Sequence, residues 1–165
     1  MSGNPRNEQL QIRISPAEKA AIRRAAEQAG LDMSAYVLSR ALPTPLMRLQ
    51  ACIDACAGPA APSFGLAELN TLLTHWTAAE LRDAIAVPPT SALPPFLSNY
   101  VAAMIEQACE RRSVRVPGWV RAVDPLAEPA FGSALKSLRL HLLTHSPPPF
   151  RRRNIFIDST IGDRV

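Results

Sequence analysis

Residues 9–42 read QLQIRISPAEKAAIRRAAEQAGLDMSAYVLSRAL, a short alternating segment followed by two helical patterns. At the start of this stretch, the apolar residues Leu10, Ile12 and Ile14 alternate with polar residues. A two-residue period is typical of a strand with one apolar face and one polar face. We therefore expect a strand over residues 9–14, and its polar face carries Gln9, Gln11 and Arg13.

A first helix is expected directly after this strand. Ser15-Pro-Ala-Glu18 has the sequence of a capping box, in which the serine hydroxyl accepts a hydrogen bond from the helix and the glutamate reaches back to the serine amide. Proline is favoured at the first helical position, and small and aliphatic residues then recur at helical spacing until Gly30. Glycine adopts the left-handed conformation that ends many helices. The pattern predicts a helix over residues 16–29.

A second helix is expected after a short turn. Ser34 is a suitable N-cap, because its hydroxyl can accept a hydrogen bond from a backbone amide in the first turn. The apolar side of this helix would consist of Tyr36, Val37, Leu38 and Leu42. Pro43 and Pro45 then stop the pattern, since proline is disfavoured in a helix interior.

One strand and two helices over about 35 residues make a unit too small to cover its own strand edge and close a core. Two copies could solve this by pairing their strands antiparallel, which would place the apolar strand faces on four helices. The polar faces would then form a two-stranded ribbon on the outside. Such a ribbon fits the major groove of DNA, where glutamine can pair with adenine and arginine with guanine.

Residues 10–42 resemble the ribbon-helix-helix family of DNA-binding dimers, which includes many antitoxins of toxin–antitoxin pairs. The resemblance rests on the polarity of the strand, the Ser-Pro-x-Glu box, the Ala-Gly-Leu turn and the second helix, in that order. It implies that Gln9, Gln11 and Arg13 face DNA bases. It also implies that the amino end of the second helix, near Met33, Ser34 and Ala35, holds a phosphate, because helix N-termini bind anions. The alternative is that the polar strand face is merely solvated.

The composition of the whole chain favours an anionic partner. The 165 residues include 18 Lys and Arg against 14 Asp and Glu, for a net charge of +4. No apolar run approaches the roughly 20 residues that span a bilayer, and residues 1–8 are polar and unlike a signal peptide. We expect a soluble, cytoplasmic protein whose residues 1–8 form a flexible arm.

The length favours two domains. We expect a ribbon-helix-helix dimer module over residues 1–45, a helix and linker over 46–65, and a helical partner-binding domain over 66–165. The expected fold class is therefore mainly α. The proline- and glycine-rich residues 58–65 are the expected hinge. Apolar periodicity predicts helices within residues 46–57, 66–76, 78–86, 97–108 and 133–145. Residues 155–158 are expected to form either a short terminal strand or an extended tail.

Two further groups of residues are candidates for sites. The pairs Cys52/Cys56 and His141/His145 each place two ligand atoms on one helical face, as a zinc site would. Nothing in the sequence brings these pairs together, so we expect no metal, but buried reduced cysteines and surface histidines. The run Phe150, Arg151, Arg152 and Arg153 could clamp a phosphate or the acidic groove of a partner, with the phenylalanine as an anchor. The alternative is a solvated charge run.

No grouping of nucleophile, base and acid and no phosphate-binding loop stands out, so we expect neither an enzyme nor a cofactor. The leading hypothesis is a homodimeric, antitoxin-type autorepressor. Its ribbon would bind operator DNA, and residues from about 58 onward would bind a toxin. Alternatives are an accessory DNA-binding protein of plasmid transfer or partition, or a plain repressor. An alternative of another class is a dimeric interaction or ligand-sensing module that does not bind DNA.

Replacing Arg13 by alanine should remove roughly 1 to 3 kcal/mol of discrimination between DNA sequences, because a bidentate contact to a base would be lost. The measurement is the affinity of the full chain for its site and for single-base variants of that site. An unchanged order of preference among these duplexes would remove Arg13 from base recognition.

Overall fold

The structure is a computed structural model that describes residues 11–58 and 61–158. The fold is mainly α-helical, which confirms the expected fold class. The chain divides into two compact units, one ending at Pro43 and the other beginning at Thr44. The predicted arm and the strand residues Gln9 and Leu10 lie outside the described residues. Within the described ranges, no helix is long and apolar enough to cross a membrane.

The first unit contains two helices, α1 (Pro16–Gln28) and α2 (Met33–Ala41). The predicted capping box is confirmed: the Ser15 amide donates to Glu18 Oε2 at 2.7 Å, and the Glu18 amide donates to Ser15 Oγ at 3.3 Å. The hydrogen bond from the Ser15 amide is the main reason that the pKa of Glu18 lies below its usual value. Gly30 has φ +65°, as expected for a residue just beyond the end of a helix.

The N-cap of α2 is Asp32, so the expectation that Ser34 caps this helix is wrong. The Ala35 amide donates to Asp32 Oδ1 at 2.8 Å. Asp32 has extended backbone angles, whereas Ser34 already lies in the first helical turn. The helix therefore begins two residues earlier than a cap at Ser34 would allow.

The second unit begins with α3 (Pro45–Ala57), α4 (Pro62–His75) and α5 (Ala78–Ala84). Helix α4 begins at Pro62 and not near Leu66, so its first turn replaces the end of the predicted linker. The prolines explain this difference, because proline is favoured in the first turn of a helix. The sequence Thr77-Ala-Ala-Glu80 also predicts a capping box, and Thr77 and Glu80 form it at the start of α5.

Helix α6 (Pro95–Arg111) is the longest helix described, and it extends the predicted helix over residues 97–108 at both ends. It contacts α4 and two short helices, α7 (Gly118–Arg121) and α9 (Pro148–Arg151). Its inner side joins α3, α4 and α5 in one apolar core. The largest side chains buried almost completely in this core include Leu49, Ile53, Leu69, Leu81 and Ile105.

The carboxyl-terminal part differs from the sequence prediction in two ways. The helix predicted over residues 133–145 is a 3-10 turn, Lys136–Leu138, followed by the shorter α8 (Arg139–His145). The predicted terminal strand is present as β2 (Ile155–Phe156), but its parallel partner β1 (Ala130–Phe131) was not predicted. A strand of two residues is too short to produce a periodic pattern.

The contact between α3 and α4 predicts a steric effect of substitution at Gly65. A Cβ atom at Gly65 would lie 2.7 Å from Cys56 Sγ and 2.8 Å from the Cys52 carbonyl oxygen. Gly65→Ala should therefore lower the free energy of unfolding by about 1 to 3 kcal/mol, because the helices must separate. Urea denaturation of the full chain would measure this change.

Gly118→Ala is the matched control, because no atom lies within 4 Å of a Cβ placed there. It should leave the unfolding free energy unchanged or slightly raised. Equal stability of both variants and the original chain would contradict the close packing of α3 on α4.

Candidate nucleic-acid interface

The segment Gln11–Ile14 immediately precedes the capped start of α1. All four of its residues are exposed, and they form no regular secondary structure within the described part of the chain. Ile12 is 59% exposed and Ile14 is 42% exposed. Apolar side chains that alternate along an exposed segment are suited to a partner that would cover them. Strand pairing between two copies stays a prediction.

Two of the three predicted base-contacting residues lie in this segment. Gln11 and Arg13 are exposed at alternate positions, and Gln9 lies outside the described residues. On α1, which follows without a break, Lys19, Arg23 and Arg24 are also exposed. The first unit thus presents polar and cationic side chains at adjacent positions, as a surface for a polyanion requires.

The amino end of α2 is less suited to phosphate than the sequence suggested. The Ala35 amide already donates to the Asp32 carboxylate, so an anion at Ala35 would have to displace a negatively charged cap. Met33 is half-buried and Ser34 is exposed, and their contacts to phosphate stay predictions. Asp32 carries a sequence signal of its own, because aspartate directly before an apolar helical pattern is a standard N-cap residue.

The structure contradicts the expectation that Phe150 and Arg153 form a surface for a partner. Arg153 is 5% exposed. Its guanidinium donates to the carbonyl oxygens of Val120 at 2.8 Å and Val123 at 3.2 Å, and it lies 3.5 Å from the carboxylate of Glu106. This arginine therefore ties the carboxyl-terminal segment to α6 and α7.

Arg152 and Arg151 differ from their buried neighbour. Arg152 is partly exposed, and its guanidinium lies 2.9 Å from the carboxylate of Glu106 and 2.6 Å from that of Glu110. Arg151 is exposed. Of the three consecutive arginines, Arg151 and Arg152 are therefore exposed, and Arg152 is engaged with two carboxylates.

Phe150 lies at the wall of an open cavity of about 310 Å³ in the second unit. Its ring meets Tyr100 edge-on, with 5.2 Å between ring centroids, and burial raises the pKa of Tyr100. Leu66, Leu73 and Met104 are also among the lining residues. The cavity is thus suited to an apolar group, and Phe150 contributes to its wall instead of projecting into solvent.

The cysteines are buried and free. Burial raises the pKa of Cys52 and of Cys109 to about 11 and also raises the pKa of Cys56, so the thiols are neutral at pH 7. His141 and His145 stack on the surface of α8, with 4.0 Å between ring centroids. Across residues 11–58 and 61–158, no three or more His, Cys, Asp or Glu side chains are grouped to hold a metal ion.

The exposed segment 11–14, the capped helix α1, the glycine turn and α2 follow one another in the order of a ribbon-helix-helix unit. Residues 4–49 match a family model named NikA-like and described as mobilization protein NikA. The match supports a DNA-binding segment of the ribbon-helix-helix type, but not an antitoxin specifically. It covers less than a third of the chain. No curated protein and no solved structure matches the chain.

The position of Asp32 predicts that Asp32→Asn strengthens DNA binding. Asparagine keeps an oxygen that can cap α2, but it removes the negative charge that would oppose a phosphate. The affinity for a mixed-sequence DNA duplex should rise by about two- to fivefold at low salt and approach that of the original chain at high salt. Fluorescence anisotropy would measure it.

Glu27→Gln is the matched control, because it removes the same charge from an exposed position on α1. It should raise DNA affinity less than Asp32→Asn does. If the two variants gained equally, the effect would come from net charge and not from the end of α2.

The buried guanidinium predicts different effects at neighbouring arginines. Arg153→Met should lower the free energy of unfolding by about 2 to 4 kcal/mol, because two carbonyl oxygens lose their donor and Glu106 loses one of its two cations. Arg151→Met should change it by no more than about 0.5 kcal/mol. Urea denaturation of both variants would test this, and similar values for the two would refute the structural role of Arg153.

Proposed function

We propose that this chain is a non-enzymatic accessory protein of plasmid mobilization, which binds DNA as a dimer through its amino-terminal unit. The observation that carries the proposal is the exposed segment Gln11–Ile14, with apolar and polar side chains at alternate positions directly before the capped helix α1. The family match over residues 4–49 supports the same assignment.

Dimer formation follows from the apolar residues of this segment. If two copies paired antiparallel, Ile12 and Ile14 of each would turn toward the helices, and their exposed surface would be covered. Backbone groups of the unpaired segment would gain ladder hydrogen bonds at the same time. The same pairing would bring Gln11 and Arg13 of both copies onto one outer face.

The side chains on that outer face are of types that contact base edges in the major groove. Arginine can donate two hydrogen bonds to guanine, and glutamine can pair with adenine. In this proposal Gln9, Gln11 and Arg13 contact bases, and Lys19 and Arg23 on α1 contribute positive charge nearby. Asp32 limits the contribution of α2 to phosphate binding.

Mobilization is favoured over an antitoxin role by the family match, whose description names a mobilization protein. No observation on the second unit indicates a toxin as its partner. That unit provides a core of its own and an extensive surface, and in an accessory protein it would contact another component of the transfer machinery.

The test is to identify the DNA that the full-length chain selects. Sheared DNA from the genetic element that encodes the chain would be bound to the protein, recovered and sequenced. Recovered fragments should cluster at a transfer origin. Clustering at the promoter of the chain's own gene alone would identify an autorepressor and overturn the mobilization role.

The variant Ile12→Asp/Ile14→Asp is the control, since carboxylates at these positions prevent burial on pairing. It should lose both the dimer, measured by analytical ultracentrifugation, and the selected DNA. A variant that still bound the same fragments would overturn the ribbon, and an original chain that selected no DNA would overturn DNA binding altogether.

A further inference from the structure

An apolar patch lies on the carboxyl-terminal part of the second unit. Every residue from 134 to 141 is exposed. Within and just beyond this run, four leucines are exposed to 40% or more: Leu135 62%, Leu138 40%, Leu140 73% and Leu143 42%. We refer to these four leucines as the α8 patch. Exposed apolar side chains that are grouped together often mark an interaction surface, whereas single exposed ones are common on protein surfaces.

The geometry of α8 shows that two of its leucines face solvent. Leu142 is buried and attaches the helix to the unit. Leu140 lies two residues earlier, about 200° around an α-helix, and so faces away from that attachment. Leu143 follows Leu140 by three residues and is therefore its neighbour on the helix surface. The helix thus presents leucines to solvent beside the single leucine that it buries.

The charge around the patch is mainly positive. One carboxylate, that of Asp158, reaches α8, where it lies 3.3 Å from His141 Nε2. No Asp or Glu occurs between Pro129 and Ile157, a range that contains five Lys and Arg. Arg152 and Arg153 are engaged with carboxylates of α6. Lys136 and Arg139 remain beside the leucines and are exposed, and Arg139 lies over the ring of Phe131 at 4.9 Å from its centroid. The patch is therefore apolar at its centre and cationic at its edge.

We propose that the α8 patch binds an acidic amphipathic helix of a different protein. The apolar stripe of that helix would cover Leu140 and Leu143, and its flanking Glu or Asp side chains would face Lys136 and Arg139. Removal of the leucines from water would supply affinity, and the opposite charges would supply orientation and selectivity. This inference goes beyond DNA binding and does not depend on it.

Other occupants fit the chemistry less well. A second copy of the chain would bring the same cations to the interface, where like charges oppose association. DNA would match Lys136 and Arg139, but it would leave the central leucines without an apolar partner. An acidic helix matches both the centre of the patch and its edge.

The experiment uses the full-length chain and two fluorescein-labelled synthetic peptides. One peptide forms an amphipathic helix with leucine at positions i, i+3, i+4 and i+7 and glutamate on the flanking positions, and the other carries lysine in place of each glutamate. In anisotropy titrations, the acidic peptide should bind saturably and at least about tenfold more tightly than the basic one. Its affinity should fall as salt is raised.

The variant Leu140→Ser/Leu143→Ser should weaken binding of the acidic peptide by about tenfold or more, because central apolar residues dominate such interfaces. Phe64→Ser is the matched control: Phe64 is 79% exposed and belongs to the same unit, and its loss should leave the affinity unchanged. Circular dichroism should show that both variants keep the helical content of the original chain. DNA binding should also be unaffected, which separates this result from the proposed function.

Four results would overturn the proposal. The first is equal affinity for the acidic and basic peptides, and the second is unchanged binding by the double serine variant. The third is self-association of the original chain that this variant abolishes, which would make a second copy the occupant. The fourth is binding to phosphatidylglycerol vesicles that the variant abolishes while the acidic peptide fails to bind, which would make the patch a membrane contact.

Discussion

The uncovered apolar side chains of Ile12 and Ile14 are the constraint on which the function of the first unit depends. Their exposure, 59% and 42%, would be an unfavourable feature of a protein that acts as a single copy. The segment does not cover these side chains with its own helices, since all residues from 11 to 14 are exposed. Pairing with a strand of another chain would cover these side chains. A second copy has a segment with the same alternation of apolar and polar residues.

Features that depend on residues close together in the sequence could be predicted from it. Both capping boxes, at Ser15–Glu18 and Thr77–Glu80, depend on residues only three positions apart and were predicted correctly. The glycine turn at Gly30 and the central helix α6 belong to the same class, because backbone conformation and helical periodicity are short-range properties. The cap of α2 was also a local signal, but Asp32 and Ser34 are both acceptable cap residues. The choice between them depends on where the turn after Gly30 ends.

Contacts between residues far apart in the chain could not be predicted from the sequence. The three consecutive arginines look equivalent in the sequence, yet Arg153 is buried among carbonyl oxygens of residues some thirty positions earlier, while Arg151 is exposed. The pairing of β1 with β2 joins Ala130 to Ile155, and the sequence indicates β2 but not its partner β1. The close approach of α3 to α4 requires a glycine at position 65, which the sequence predicts to lie in a linker. Each of these features depends on contacts between residues far apart in the sequence, and a short stretch of sequence does not show such contacts.

The two units leave different surfaces uncovered, and this difference bears on how the chain acts. The first unit exposes alternating isoleucines beside glutamine and arginine, a pattern that a copy of itself and then DNA would complete. The second unit exposes leucines beside Lys136 and Arg139, a pattern that an acidic apolar partner would complete. A dimer formed through the first unit would carry two α8 patches. Two linked patches bind a partner with two matching sites more tightly than either does alone, since the second contact becomes intramolecular. In this arrangement, dimerisation at residues 9–14 both creates the DNA-binding face and raises the affinity of the carboxyl-terminal units for a partner, so that one strand pairing serves both activities.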